Sequence, residues 1–127
     1  MKIYYDSMTG NTEKFARKLQ SKFNIEIERI NEYTVPTEDY LLITFTIGFG
    51  NVPESTKQFL ERTKGMYLAG VCASGNRNWG ANFAKSADVI SKEYNVPVIH
   101  KFELQGLGRD VDFVGNYCYK ENRIVVW

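Results

Sequence analysis

The sequence predicts a doubly wound α/β fold, with one parallel five-stranded sheet in the order 2-1-3-4-5 held between helices in three α/β/α layers. Three observations carry that expectation. Short β-branched or aromatic runs alternate along the chain with longer segments of helical period. Two of the runs, residues 40–46 and 67–73, are almost continuously apolar, which suits central strands covered on both faces. The length of 127 residues suits a single domain over 1–127, with no internal repeat, low-complexity tract or linker.

Ile3-Tyr4-Tyr5 opens as a strand and stops at Asp6-Ser7. From Thr12 onward, Phe15, Leu19 and Phe23 recur every four residues, the apolar stripe of an amphipathic helix. Ile25, Ile27 and Arg29-Ile30 suggest a second, partly exposed strand, and the polar stretch 31–39 with Pro36 reads as a connection with at most one helical turn. After the strand at 40–46, Pro53 suits the first turn of a helix, with Asn51 as its cap and Phe59 and Leu60 on its apolar side. Residues 67–73 form the next central strand. Phe83, Ala84, Ala87 and Ile90 predict a helix over 79–94, and residues 96–102 the last strand. Val111, Val114, Cys118 and Val125 predict a closing helix, against which Gly115 counts by about 1 kcal/mol relative to alanine. Alternation of this kind implies βαβ units with right-handed crossovers.

Composition excludes several classes. Hydrophobic residues at 43% and charged residues at 24% are globular proportions, which argues against disorder and fibrous architectures. Sixteen basic against fifteen acidic side chains leave +1 with no basic block, so no footprint for nucleic acid or an anionic membrane is expected. No apolar run approaches the roughly 20 residues of a spanning helix, and residues 1–6 lack a signal-peptide pattern. The expectation is a soluble, cytoplasmic protein. Cys72 and Cys118 form no CxxC pair and have no clustered metal-ligand partners, so they read as buried small apolar residues and no metal site is expected. His100, the single histidine, reads as an ordinary strand residue.

In open α/β sheets, ligands bind outside the carboxyl ends of the strands, near the point where strand order reverses. Here those loops are Ser7-Met8-Thr9-Gly10-Asn11-Thr12, Thr46-Ile47-Gly48-Phe49-Gly50-Asn51 and Ser74-Gly75-Asn76-Arg77-Asn78-Trp79-Gly80. All three are rich in Gly, Asn and hydroxyl residues, and none contains a carboxylate. The first loop would turn its backbone N–H groups and the positive end of a helix dipole toward an anion. Gly10 permits close approach, and Ser7, Thr9 and Thr12 add hydroxyl donors. The loop matches neither GxxxxGK[ST] nor GxGxxG, so an uncharged cradle for a single phosphate is the expectation. No general acid, base or nucleophile stands in a catalytic constellation.

Ser7-x-Thr9-Gly10-Asn11-Thr12 after the first strand resembles the FMN-phosphate loop of flavodoxins. The run from Thr44 to Pro53 containing Gly48-Phe49-Gly50-Asn51, and the run from Ala73 through Ser74, Gly75, Asn76 and Trp79 to Asn82-Phe83, resemble the NrdI family of flavodoxin-like proteins. His100-Lys101-Phe102-Glu103-Leu104 looks like that family too. The resemblance spans about residues 5–112, and the tail at 113–127 departs from it.

The resemblance implies bound FMN, held by every residue of the first two loops, by Ser74, Gly75, Asn76 and Trp79 of the third, and by Asn82 and Phe83. It implies reaction of the flavin with dioxygen to supply superoxide to the dimanganese small subunit of a class Ib ribonucleotide reductase, whose tyrosyl radical is thereby assembled. An unidentified flavin reductase or other donor would recharge the flavin. The isoalloxazine would lie between the second and third loops against Phe49 and Trp79, and the Gly48–Phe49 peptide would reorient with the redox state. Arg77 and Asn78 would take part in docking. Loops without carboxylates, with Arg77 nearby, should ease formation of the anionic reduced flavin. The alternative is a general flavodoxin-type electron carrier. A flavin-free receiver domain on this fold lacks its acidic cluster, since Asp6 stands alone.

Overall fold

The computed structural model describes residues 1–124, with side chains described through Lys120. Five strands, β1 (Lys2–Tyr5), β2 (Ile27–Arg29), β3 (Tyr40–Phe45), β4 (Leu68–Gly75) and β5 (Val98–Glu103), form one sheet in the order β2-β1-β3-β4-β5. Every pairing is parallel, with Ile3 opposite Ile27 and Leu41, and Cys72 opposite Ile43 and His100. Helices α1 (Asn11–Phe23), α2 (Glu54–Thr63), α3 (Lys85–Tyr94) and α4 (Gly108–Ile124) supply the connections, with a short 3₁₀ segment at Arg77–Asn82.

The period-2 alternation of the strands divides the apolar residues between two cores. Ile3, Tyr5, Leu41, Ile43, Cys72 and Phe102 meet Phe15 and Leu19 of α1 and Val111 and Val114 of α4. Tyr4, Tyr40, Leu42, Val71 and Ala73 face the other way, toward Phe59 and Leu60 of α2 and Ala87 and Ile90 of α3. The central strand β3 is buried along Tyr40–Thr44, which is why it reads as a continuous apolar run. Cys72 is fully buried and its thiol is pushed far above the ordinary range by that burial, which leaves it no thiolate for redox chemistry.

Several predicted boundaries move. The helix expected over 79–94 is broken: Gly80 adopts φ 57, ψ −120 and Ala84 is left-handed, so α3 begins only at Lys85. Pro53 is itself the residue capping α2, and no side chain caps that helix; Asn51 instead bridges Ile47. β4 runs on to Gly75, so Ser74 and Gly75 belong to the strand rather than the loop. β5 begins at Val98 and ends at Glu103, later at both ends than the expected 96–102. Val125 of the predicted closing stripe lies outside the described residues.

His100 is more than a strand residue. Its Nε2 lies 2.7 Å from Asp110 Oδ1, and its ring stacks on Phe113 at 4.7 Å. Asp110 Oδ2 accepts from the Leu107 amide at 2.7 Å, closing the first turn of α4. Burial alone would raise the Asp110 carboxyl, but the Leu107 amide and His100 outweigh it and hold the carboxyl below its ordinary value.

The cost that helix propensity assigns to Gly115 reverses in context. A Cβ on Gly115 would lie 2.3 Å from the Phe23 ring, so α1 and α4 approach closely only because this position lacks a side chain. Gly115→Ala is therefore expected to destabilise by about 1–3 kcal/mol through overpacking, against the ~1 kcal/mol gain that propensity alone would give. Chemical denaturation of the two proteins measures the sign, and a stabilised alanine variant would refute the packing assignment.

Candidate functional site

The carboxyl ends of β1, β3 and β4 open into a cleft of about 180 Å³ that faces solvent. The first loop contributes Ser7, Met8, Thr9, Asn11 and Thr12 to its lining. The strand end and turn after β3 add Phe45, Thr46, Ile47 and Gly48, and the third segment adds Ser74, Gly75, Asn76, Trp79 and Asn82. Ala84 and Leu104 complete it. No side chain of the lining is charged.

The first loop is built to leave donors open. Gly10 stands at the cap of α1 with φ 94, and no side chain caps the helix, so the amides of its first turn have no intrahelical acceptor. Ser7 Oγ accepts from the Gly10 amide at 3.1 Å, which leaves its own proton free to donate. Thr9 is exposed. Thr12 is different: it is buried and its hydroxyl donates inward to the Asp6 carbonyl, so it braces the loop rather than facing a ligand as a donor. A cation also reaches this loop from a neighbouring strand. Arg29 ends β2, donates to the Ser7 carbonyl and pairs with Glu13 of α1 at 3.4 Å.

Beneath the loop lies a buried carboxylate. Asp6 is 5% exposed, and its Oδ2 accepts from Ser55 Oγ at 2.5 Å and Thr56 Oγ1 at 2.6 Å. Thr56 in turn meets Thr44 Oγ1 at 2.7 Å. This network ties β1 to β3 and to the first turn of α2.

The second loop is a tight turn closed by Ile47 and Asn51, with reciprocal amide–carbonyl bonds of 3.0 and 2.8 Å. Gly48 at φ 54 and Gly50 at φ 106 bracket Phe49 at its tip, angles that other residues adopt at a cost. Phe49 is 73% exposed and Trp79 47% exposed, and they touch edge to face with centroids 5.4 Å apart at 88°. With the two planes perpendicular, a flat ring cannot lie face-on against both.

In the third segment, Asn76 accepts from the Asn78 amide at 2.9 Å, and Ser74 Oγ donates to the Leu104 carbonyl at 2.6 Å. A Cβ on Gly75 would meet the Ala84 backbone nitrogen at 2.5 Å, so glycine permits this approach of β4 to α3. Arg77 lays its guanidinium over the Phe83 ring at 4.5 Å, and its amide donates to Glu103 Oε2 at 3.0 Å. The loop sequences contain no carboxylate, yet one arrives here from β5, which corrects the expectation of a surround without acidic groups.

Thirteen of the eighteen residues expected at the site from sequence therefore share the cleft lining. Gly10 stands at the helix cap, Phe49 against Trp79, and Phe83 under Arg77. Gly50 and Asn51 line a separate groove beside α2 and α3 with Lys57, Leu60 and Ile90. Phe45, Ala84 and Leu104 join the lining without having been expected there. Arg29 had a findable signal: with order 2-1-3, the carboxyl end of β2 adjoins the first loop.

A family model described as NrdI flavodoxin-like matches residues 3–116. The chain belongs to the NrdI flavodoxin-like family. Membership in this family implies a flavin-binding protein. Among solved structures, the chain is similar to a short-chain flavodoxin associated with a non-canonical PDU bacterial microcompartment, at 18% identity and TM-score 0.70, covering 91% of each chain. It is also similar to oxidised flavodoxin 2 from Bacillus cereus, at 20% identity and TM-score 0.69, covering 92% of this chain and 94% of that one. These likenesses speak for the fold. Among the described residues, no helix is long and apolar enough to cross a membrane, and no group of three or more His, Cys, Asp or Glu is placed to hold a metal ion.

Thr56→Val keeps the shape of the side chain while removing one donor to Asp6 and the partner of Thr44. It is expected to lower stability by about 1–3 kcal/mol, the penalty for an under-satisfied buried polar group. Thermal unfolding followed by circular dichroism checks this, and an unchanged midpoint would mean that the Asp6 network does not hold the first loop to α2.

Proposed function

We propose that residues 1–127 act as one FMN-binding redox domain that reacts with dioxygen and supplies superoxide for assembly of the dimanganese–tyrosyl radical cofactor of a class Ib ribonucleotide reductase small subunit. The observation that carries this reading is the donor set of the cleft. An uncapped helix start and free hydroxyls stand at one part of it, and uncharged, partly aromatic lining at the rest. Those residues fit a molecule with a phosphate and a flat, weakly polar ring system, which is the chemistry of FMN.

Ser7, Thr9 and the amides of Asn11 and Thr12 would hold the phosphate, with Arg29 adding positive charge through its bond to the Ser7 carbonyl. Ile47, Gly48, Trp79 and Asn82 would border the ring. When bound, FMN supplies the electrons that reduce dioxygen; this chain's residues orient it and set its surroundings. The lining offers no like charge to oppose an anionic reduced cofactor, and Glu103 is engaged by the Arg77 amide beside it. The Gly48–Phe49 peptide is free to reorient between redox states because both flanking glycines tolerate positive φ. Electrons would come from a flavin reductase or another donor in the cytoplasm, and the exposed Trp79, Arg77 and Asn78 would meet the reductase subunit.

The test is a radical assay. The FMN-loaded protein is reduced anaerobically, mixed with the Mn(II)-loaded small subunit from the same genome, and exposed to oxygen while electron paramagnetic resonance is recorded. A tyrosyl radical that forms only with this protein present is the expected result. Absence of the radical, from protein that binds and cycles FMN, would replace this reading with that of a general electron carrier.

A further inference from the structure

Six residues other than glycine hold a positive φ among the described residues: Asn24, Lys64, Tyr67, Ala84, Asn95 and Leu104. Asn24, Lys64 and Asn95 each follow the end of a helix, where a left-handed residue is the ordinary way to close the last turn. Leu104 closes no helix. It sits directly after β5 at φ 53, it is 52% exposed, and it lines the cleft. A left-handed leucine is disfavoured by its Cβ, and a half-exposed side chain returns little to the core in compensation.

The surroundings nevertheless hold that conformation from both sides. The Leu104 amide donates to the Gly75 carbonyl at 3.1 Å, and its carbonyl accepts from Ser74 Oγ at 2.6 Å. The preceding residue is fixed as well: the Glu103 carboxylate takes the Arg77 amide at 3.0 Å, and the Glu103 carbonyl takes the Gly106 amide at 2.9 Å. Two hydrogen bonds of Leu104 and two of the residue before it thus hold a backbone angle that glycine would adopt freely, at a position that lines the candidate site. Strain that is over-determined and adjoins a cleft is a mark of a functional contact.

We infer that Leu104 is a flavin-contacting residue, an apolar wall of the cleft that the bound ring covers and that the β4–β5 tip presents at the expense of backbone strain. The inference rests on the FMN reading above and adds to it a residue from the carboxyl end of a fourth strand. Its signature is a pair of effects with opposite sign. Removing the side chain and its strain together should make the flavin-free protein more stable and its hold on FMN weaker. A residue with a purely structural role would not separate the two.

The experiment measures FMN affinity by quenching of flavin fluorescence and the thermal midpoint of the flavin-free protein, for wild type, Leu104→Gly, Leu104→Ala and Lys64→Gly. Leu104→Gly is expected to raise the midpoint by roughly 2–8 °C and to weaken FMN binding about tenfold. Leu104→Ala, which keeps the strain, should weaken binding without raising the midpoint. Lys64→Gly, at φ 57 on a helix end that contributes nothing to the cleft lining, should raise the midpoint and leave affinity unchanged. Wild-type affinity in both Leu104 variants would overturn the inference while leaving the FMN reading intact. So would a glycine variant that loses stability and affinity together. A wild-type protein that binds no FMN would overturn both.

Discussion

A carboxylate buried to 5% exposure needs donors, and Asp6 finds them in the first turn of a helix fifty residues away. Its amide donates to Ile43 of the neighbouring strand, and its carbonyl accepts from Thr12. One residue thus joins the end of β1, the adjacent strand and the starts of α1 and α2, where the first cleft loop begins and the chain has just left the second. Because the first loop is satisfied from beneath, its own outward amides can stay open. A helix start without a side-chain cap would otherwise be a small liability; here it leaves the cleft a field that favours an anion.

The rest of the cleft follows from the same arrangement. Parallel pairing brings the ends of β1, β3 and β4 to one edge of the sheet, and the loops that leave them carry small polar residues in place of charges. Arg29 and Glu103, which reach the loops from neighbouring strands, are both engaged with loop backbone and so help to hold the walls of the cleft. An uncharged site can accept a cofactor whose charge changes during its cycle without strongly penalising either state.

Strand order, the helix faces and most of the cleft lining were legible in the sequence because they depend on local period and on one rule of sheet topology. Phe15 and Leu19 mark α1 by spacing alone, and the apolar run at 40–46 marks a strand covered on both faces. The failures come from contacts and backbone angles that residue spacing does not encode. Gly115 looks like a weak point of a helix until Phe23 is seen to need its space. The helix start at 79 looks sound until Gly80 and Ala84 take angles that break it. Thr12 looks like a ligand donor, and Asp6 turns it inward. Leu104 closes the run from His100 that resembles the family, but its left-handed angle and its bonds to Ser74 and Gly75, thirty residues earlier, leave no trace in the spacing.

The most direct test of this account compares FMN with riboflavin, which differs only by the phosphate. Isothermal titration of the flavin-free protein with each ligand isolates what the first loop contributes. Charge-assisted hydrogen bonds are worth about 1.5–3 kcal/mol apiece, so two or more should favour FMN by roughly a hundredfold or greater. Equal affinity for the two flavins would contradict the assignment of the open amides and hydroxyls of the first loop to a phosphate.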